Sequence, residues 1–208
     1  MQKGTKLERR PRGRPRAFDP QQAAERILAT FWDYGFAATS LDQLATATGM
    51  NRPSLYAAFG DKKAMYRASL AVFADAMRAE VAAALRAPTL AGALQRFYRG
   101  AIKLYVSGED GPRGCLYVCT AAVNAVHDAD IRSDIAGVLR DIDTALTARI
   151  EQARAAGEFA PECDPAALAA VAGAVLHSLA VRARAGYTRR ELDALAATAI
   201  TLIVGCAD

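Results

Sequence analysis

Residues 39–63, TSLDQLATATGMNRPSLYAAFGDKK, hold two sets of helix start and stop signals within 25 positions. That density leaves room only for two short helices joined by a tight turn. Ser40 is placed to cap a helix, and Gln43, three residues on, can return a bond to the cap's own amide. Leu41, Leu44 and Ala45 then share a face at helical spacing. The pattern predicts that Gly49 ends this helix in a left-handed conformation and that Asn51 caps the next, with Arg52, Pro53 and Ser54 as its first turn. Proline costs little there, because first-turn amides have no intrahelical partner. Leu55 and Phe59, four apart, pack inward and leave Asn51, Arg52, Ser54 and Tyr56 at the outward side or the leading end. A helix entering the major groove reads base edges through its N-terminal residues, while hydroxyls, amides and cations at its margins hold phosphates. Arg52 is the candidate reader of a guanine. The spacing alone also fits an αα-hairpin inside an ordinary helical protein, so the surroundings must separate the two.

The first 16 residues carry seven cations, Lys3, Lys6, Arg9, Arg10, Arg12, Arg14 and Arg16, against the single acid Glu8, a formal charge of +6. Subtracting this from the chain's +4 leaves −2 for the other 192 residues. Charge gathered in one segment marks a polyanion partner, although a solvated basic tail has the same composition. Within the segment, Arg12-Gly13-Arg14-Pro15-Arg16 resembles the core of an AT-hook, whose slim extended backbone lets arginines enter a narrow minor groove. Residues 1–18 therefore read as a flexible basic arm, with Arg12, Arg14 and Arg16 as DNA contacts.

Between arm and reader the pattern predicts a supporting helix. Asp19 caps it, Pro20 opens it, Gln22 completes a capping box, and Ala24, Ile27, Leu28 and Phe31 form its stripe up to Gly35. After the reader, Asp61 caps a long helix with apolar positions at Tyr66, Leu70, Phe73, Met77 and Val81. The run RILATFWDYGFAATSLDQLATATGMNRPSLYAAFGDKKAMY resembles the N-terminal domain of the TetR family of transcriptional regulators over about residues 20–75. The likeness is carried by Gly35-Phe36, the Thr39-Ser40 cap, Gly49, and Leu55-Tyr56-x-x-Phe59-Gly60-x-Lys62. It implies that Thr39, Tyr56 and Lys62 hold backbone phosphates. The chain departs from the family pattern at Ala58, where histidine is usual, and at Pro53, where glycine or alanine is more typical.

Of the chain, 52% is hydrophobic, much of it alanine, which suits closely packed helices. No strand pattern competes, and the expected fold is all-α with about nine helices. A helix-turn-helix DNA-binding domain spans 19–64, and a larger effector-binding and dimerisation domain spans 65–208. Five further helices are expected at 90–107, 113–126, 130–156, 164–185 and 189–206. The N-terminus lacks an apolar leader, and the longest quiet run, Ala166 to Val181, is broken by His177 and Ser178. A cytoplasmic protein without membrane association is expected, and in that compartment its four cysteines are expected to be reduced thiols.

The penultimate helix carries Leu168, Val171, Ala172, Val175 and Leu179 on one side, and Ala170, Gly173, Ala174, His177 and Val181 on another. The last repeats the pattern with Leu192, Leu195, Ala199, Ile200 and Ile203. Two copies of this pair are expected to form a four-helix interface on a two-fold axis, as the family resemblance also implies. The homodimer then reads a palindromic operator in double-stranded DNA. Its half-sites lie about 34 to 36 Å, or a multiple of this, apart.

The resemblance also implies a cavity for a small-molecule effector, with Tyr98, Tyr105, Cys119 and His177 as candidate lining residues. A second reading on the same scaffold is a thiol sensor of oxidants or electrophiles. In it, Arg113 and a helix start acidify Cys115, against the plainer role of both cysteines as small buried hydrophobes. Cys115, Cys119 and His127 do not complete a tetrahedral metal set, and neither metal nor cofactor is expected. Two histidines without a nucleophile elbow, a phosphate loop or a metal-binding helix motif argue against an enzyme. An architectural DNA protein is the remaining alternative, separated from a regulator by its indifference to sequence.

Overall fold

Local signals account for most of the helix boundaries in the computed structural model, which describes residues 19–108, 111–159 and 162–205. The basic arm, with Arg12, Arg14 and Arg16, lies outside the described residues. Helix α1 spans Pro20–Ala38 and opens with the Asp19 carboxylate accepting from the Gln21 amide at 2.9 Å. Helices α2, Leu41–Thr48, and α3, Arg52–Phe59, follow, and α4, Lys62–Leu85, starts where Asp61 accepts from the Ala64 amide at 2.7 Å. Every helix is α-helical or, at one point, π-helical, and no strand occurs among the described residues.

Gly35 does not end α1 as expected. It sits at φ 75° and ψ 174°, kinking the helix so that one more turn continues to Ala38. The core of the N-terminal unit is Ile27 and Phe31 from α1, Leu44 from α2, Leu55 from α3 and Tyr66 from α4, each at most 2% exposed. Because α4 runs on for 24 residues into the second half of the molecule, the expected boundary at residue 64 falls inside a continuous helix rather than in a linker.

Helices α5, Leu90–Tyr105, α7, Ala129–Ala155, α8, Pro165–Arg184, and α9, Arg189–Val204, build the larger body. Helix α8 is packed between α5, α7 and α9. It is long and apolar enough to cross a membrane, but its buried face is part of this body's core.

The helix expected over 113–126 is corrected. The chain stays non-helical through Cys115, then makes a π-type turn at Tyr117–Ala121, followed by one short helical turn, α6, at Ala122–Asn124. Gly114 explains the delay. At φ 65°, its missing Cβ would lie 2.6 Å from the Cys119 sulfur and 2.7 Å from the Ala180 carbonyl oxygen, so only glycine lets this non-helical stretch approach α8. Its amide donates to the Tyr105 carbonyl at 3.0 Å, and its own carbonyl accepts from Trp32 Nε1 at 3.1 Å. The wider π turn shifts the face that follows, so Val123 and Val126 point to solvent instead of continuing the Cys115–Cys119 stripe.

The faces of α8 are also reassigned. Its buried side is Ala169, Ala172, Gly173, Leu176, Leu179, Ala180 and Ala183, and Val171, Ala174 and Val181 face outward. In α9, Leu192, Ala199 and Ile203 are buried within the chain, while Leu202 is exposed. Cys115 and Cys119 are free thiols, whereas Cys163, just before α8, is disulfide-bonded, contrary to the expectation of four reduced thiols.

Candidate nucleic-acid interface

Helix α2 holds its position through a complete capping box: Ser40 Oγ accepts from the Gln43 amide at 3.2 Å, and Gln43 Oε1 accepts from the Ser40 amide at 2.7 Å. Gly49, at φ 69°, turns the chain, and Asn51 Oδ1 then accepts from the Ser54 amide at 2.9 Å to start α3. Leu55 is wholly buried beneath α3. That burial points Asn51, Arg52 and Tyr56 into solvent, with Ser54 half-buried beside them. Of this set, Tyr56 is a large aromatic ring left 46% exposed, which suits a group that meets a partner.

Two expected phosphate contacts are placed differently from one another. Thr39 is turned inward: it is 1% exposed, and its hydroxyl at 2.7 Å and its amide at 3.3 Å both donate to the Gly35 carbonyl at the α1 kink. Ser40, its neighbour, is the exposed hydroxyl at this corner. Lys62, at the first position of α4, lies with Nζ 4.6 Å from the centre of the Phe36 ring. Partial burial lowers its pKa from the ordinary lysine value.

Arg52 is joined to a residue that the sequence pattern does not mark. Its Nε and Nη2 donate to the two oxygens of Asp42 at 2.8 and 2.6 Å. The pair crosses from α2 to α3 over ten residues, a separation outside the i, i+3 and i, i+4 signals of a single helix.

Behind the reader, side chains knit α1 to the larger body. Arg184 of α8 donates to the carbonyls of Trp32, Asp33 and Arg113 at 3.3, 2.9 and 2.9 Å. Arg113 pairs with Asp33 at 2.6 Å, and the Tyr66 and Thr120 hydroxyls are 3.0 Å apart, joining α4 to the π turn. At the α4 start, Lys63 bridges Asp128 and Asp130 at 2.8 and 2.9 Å, and Arg67 meets Asp134 at 2.9 Å.

The four effector candidates do not converge on one place. Tyr105 lies in electrostatic contact with Cys115 and Cys119, all three in the region between α5, the π turn and α8. Tyr98 is fully buried and its hydroxyl donates to the Ala172 carbonyl at 3.0 Å. Burial pushes both phenols above the ordinary tyrosine range. His177 instead lines an open concavity of about 530 Å³ on the outer side of α8, with Ser178, Val181, Arg182 and Tyr187. Its partial burial lowers its pKa.

The acidification that the alternative thiol-sensor reading needs at Cys115 is opposed by its surroundings, which favour the plainer role of a buried hydrophobe. Burial pushes its thiol up to about 11, and the two backbone amides that favour the thiolate are outweighed. Arg113 does not compensate, because its guanidinium is engaged by Asp33. The Cys119 thiol is likewise raised, burial outweighing the nearby Arg184 guanidinium, so neither sulfur is shifted toward the thiolate that a reactive cysteine needs. Cys115 is buried and His127 exposed, so the two do not face a common point.

Comparison with known proteins finds matches to both the reader and the larger helical body. Residues 25–69 match the model for bacterial regulatory proteins of the tetR family, and residues 91–199 match the tetracyclin repressor-like C-terminal domain. The chain is 29% identical over 200 residues, 95% of each chain, to the HTH-type transcriptional repressor ComR of Escherichia coli (strain K12). It is 44% identical over 62 residues, 30% of this chain and 32% of the other, to the HTH-type transcriptional repressor BdcR of the same organism. Among solved structures, a cysteine-substituted CifR complexed with 26-base-pair operator DNA superposes with a TM-score of 0.79 at 29% identity, covering 90% of this chain and 98% of that one. With a helix-turn-helix built on the expected caps and both halves matched by their family models, this chain belongs to the TetR family of DNA-binding transcriptional regulators.

Proposed function

We propose that this chain is a repressor that binds a palindromic operator as a homodimer and leaves it when a small molecule occupies the larger helical body. The observation that carries the reading is the outward face of α3. Asn51, Arg52 and Tyr56 are exposed together on a short helix fixed by caps at its start and by buried Leu55 beneath. Arg52 reads a base, while Ser40, Ser54, Tyr56 and Lys62 hold phosphates, and the basic arm adds Arg12, Arg14 and Arg16 in the minor groove. Thr39 acts from below, fixing the corner from which Ser40 projects.

Three observations support the remaining parts. The outward stripe of α8, Val171, Ala174 and Val181, is apolar and uncovered in the single chain, as a two-fold interface requires. The Arg184 hub joins α8 to the end of α1, so a small shift of α8 on effector binding reaches the reader. A coupling of about 1 to 3 kcal/mol suffices to change operator affinity from several-fold to more than a hundred-fold. ComR and BdcR are repressors by name, and CifR is seen on operator DNA.

The test is titration of selected and scrambled duplexes at several salt concentrations. Arg52→Ala is expected to relax sequence preference, and Lys62→Ala to weaken all duplexes alike and flatten the salt slope by about one phosphate contact. Removing residues 1–16 should flatten it further. An equal affinity of the wild-type chain for selected and scrambled duplexes would exclude the regulator and leave an architectural binder.

A further inference from the structure

Both partners of the Asp42–Arg52 pair are anchored on capped helix starts. Asp42 is the second residue of α2, behind the Ser40–Gln43 box, and Arg52 is the first residue of α3, behind the Asn51 cap. Their side chains are 71% and 55% exposed. An ion pair so open to water contributes little to stability. What it does impose is geometry, because a planar fork meeting a planar carboxylate at two points fixes the direction of the guanidinium. The pair raises the pKa of Arg52 and lowers that of Asp42, each chiefly through these hydrogen bonds, so both stay charged near neutrality.

A guanidinium has five N–H donors, and this side-on pair takes one on Nε and one on Nη2. The second hydrogen of Nη2 and one of the two on Nη1 lie side by side on the adjacent, end-on edge. That edge has the two parallel donors which reach O6 and N7 of guanine in the major groove.

We propose that Asp42 is a positioning residue for base recognition, holding Arg52 side-on so that its Nη1–Nη2 edge is presented to a guanine. The inference rests on Arg52 being the base reader. A long arginine ordinarily loses rotamer freedom when it docks, and a carboxylate clamp present before binding has already removed that freedom. Asp42 also places a negative charge beside a polyanion, so it opposes attraction to duplex of any sequence. The two effects have opposite signs, and this separates the clamp from a merely structural role.

The experiment selects from a randomised duplex pool with the full chain, using wild type, Asp42→Asn, Arg52→Ala and the double variant, followed by titration of the selected duplexes. Wild type is expected to prefer guanine at one position per half-site by roughly 5- to 150-fold, and Arg52→Ala to lose that preference. Asp42→Asn is expected to lower the preference at the same position at least about 3-fold while binding random duplex as well as wild type or better. The double variant should match Arg52→Ala in base preference, since a clamp with nothing to hold orients nothing, while binding random duplex as well as Arg52→Ala or better because the Asp42 charge is gone. If Arg52→Ala leaves every position unchanged, the base-reader assignment itself fails. If Arg52→Ala erases the guanine while Asp42→Asn leaves or strengthens it, the clamp alone is overturned. A loss spread evenly over all positions overturns it too, because a disturbed α2 would act in that way.

Discussion

Cys115 stands two residues from Arg113 in sequence, yet its thiol titrates upward, to about 11, because the guanidinium is engaged by Asp33 and the sulfur is buried. An unfolded chain releases that proton in the ordinary thiol range, near about 8.5. Between there and about 11 the native state therefore binds more protons than the unfolded one, and stability falls as pH rises. Full expression of this linkage is about 1.4 kcal/mol per pH unit within the window. Tyr105 and Cys119 shift in the same direction, so the contribution must be isolated by comparison with Cys115→Ala. Urea unfolding at pH 8, 9 and 10 is expected to show the wild-type advantage over Cys115→Ala shrinking with pH, and parallel curves would contradict the burial argument. The caps were readable at this scale because Ser40, Asn51 and Asp61 act on amides three residues away. The Arg52–Asp42 and Arg113–Asp33 pairs were not, since separations of ten and 80 residues leave no periodic trace in a chain.

At the scale of elements, the segment from Gly114 to Asn124 shows what sequence periodicity misses. Cys115, Cys119, Val123 and Val126 satisfy a helical stripe in composition, but the chain needs a non-helical stretch first, so that Trp32, Tyr105 and Ala180 can close around Gly114. A π turn then restores helical backbone bonding at the cost of register, a device that occurs often at functional sites. Here it lies against α1, α4 and α8, which makes it one contact surface between the reader and the larger helical body. Gly114→Ala tests whether this approach is as tight as the distances say. Its Cβ would meet the Ala180 backbone oxygen at 2.7 Å, which cannot rotate away, and a positive φ adds strain. The variant is expected to lose about 1 to 3 kcal/mol in denaturant unfolding, the range of an overpacked core. A cost below about 0.5 kcal/mol, typical of a surface change, would mean that the stretch moves aside freely. The long helices α4, α7, α8 and α9 were legible because their caps and stripes are local. The π turn was not, because its cause is α8, more than 60 residues away at Ala180.

For the whole molecule, the decisive surface is the one that a single chain cannot cover. Helix α8 is apolar nearly all round, which was plain in the sequence, but small residues on every side left its inward and outward faces interchangeable until α5, α7 and α9 were in place. The outward stripe keeps Val171 and Val181 51% and 53% exposed, and Leu202 of neighbouring α9 is 70% exposed. A stable two-fold contact needs more than about 1,000 Å² of buried surface with few charges at its centre, which this stripe can seed. Val171→Glu with Val181→Glu puts like charges face to face across the proposed two-fold axis while leaving the chain's own core, which neither side chain enters, undisturbed. The variant is expected to sediment as a 22.1 kDa monomer with an unchanged helical circular dichroism spectrum. A monomer reads one half-site, so the avidity of two linked readers, on the order of 10² to 10⁴, should disappear from operator binding. The affinity for an isolated half-site should stay near that of one wild-type reader. If the double variant still sediments at twice this mass and holds the palindrome as tightly as wild type, the outward stripe of α8 is not the proposed interface, and the partner sits on another face.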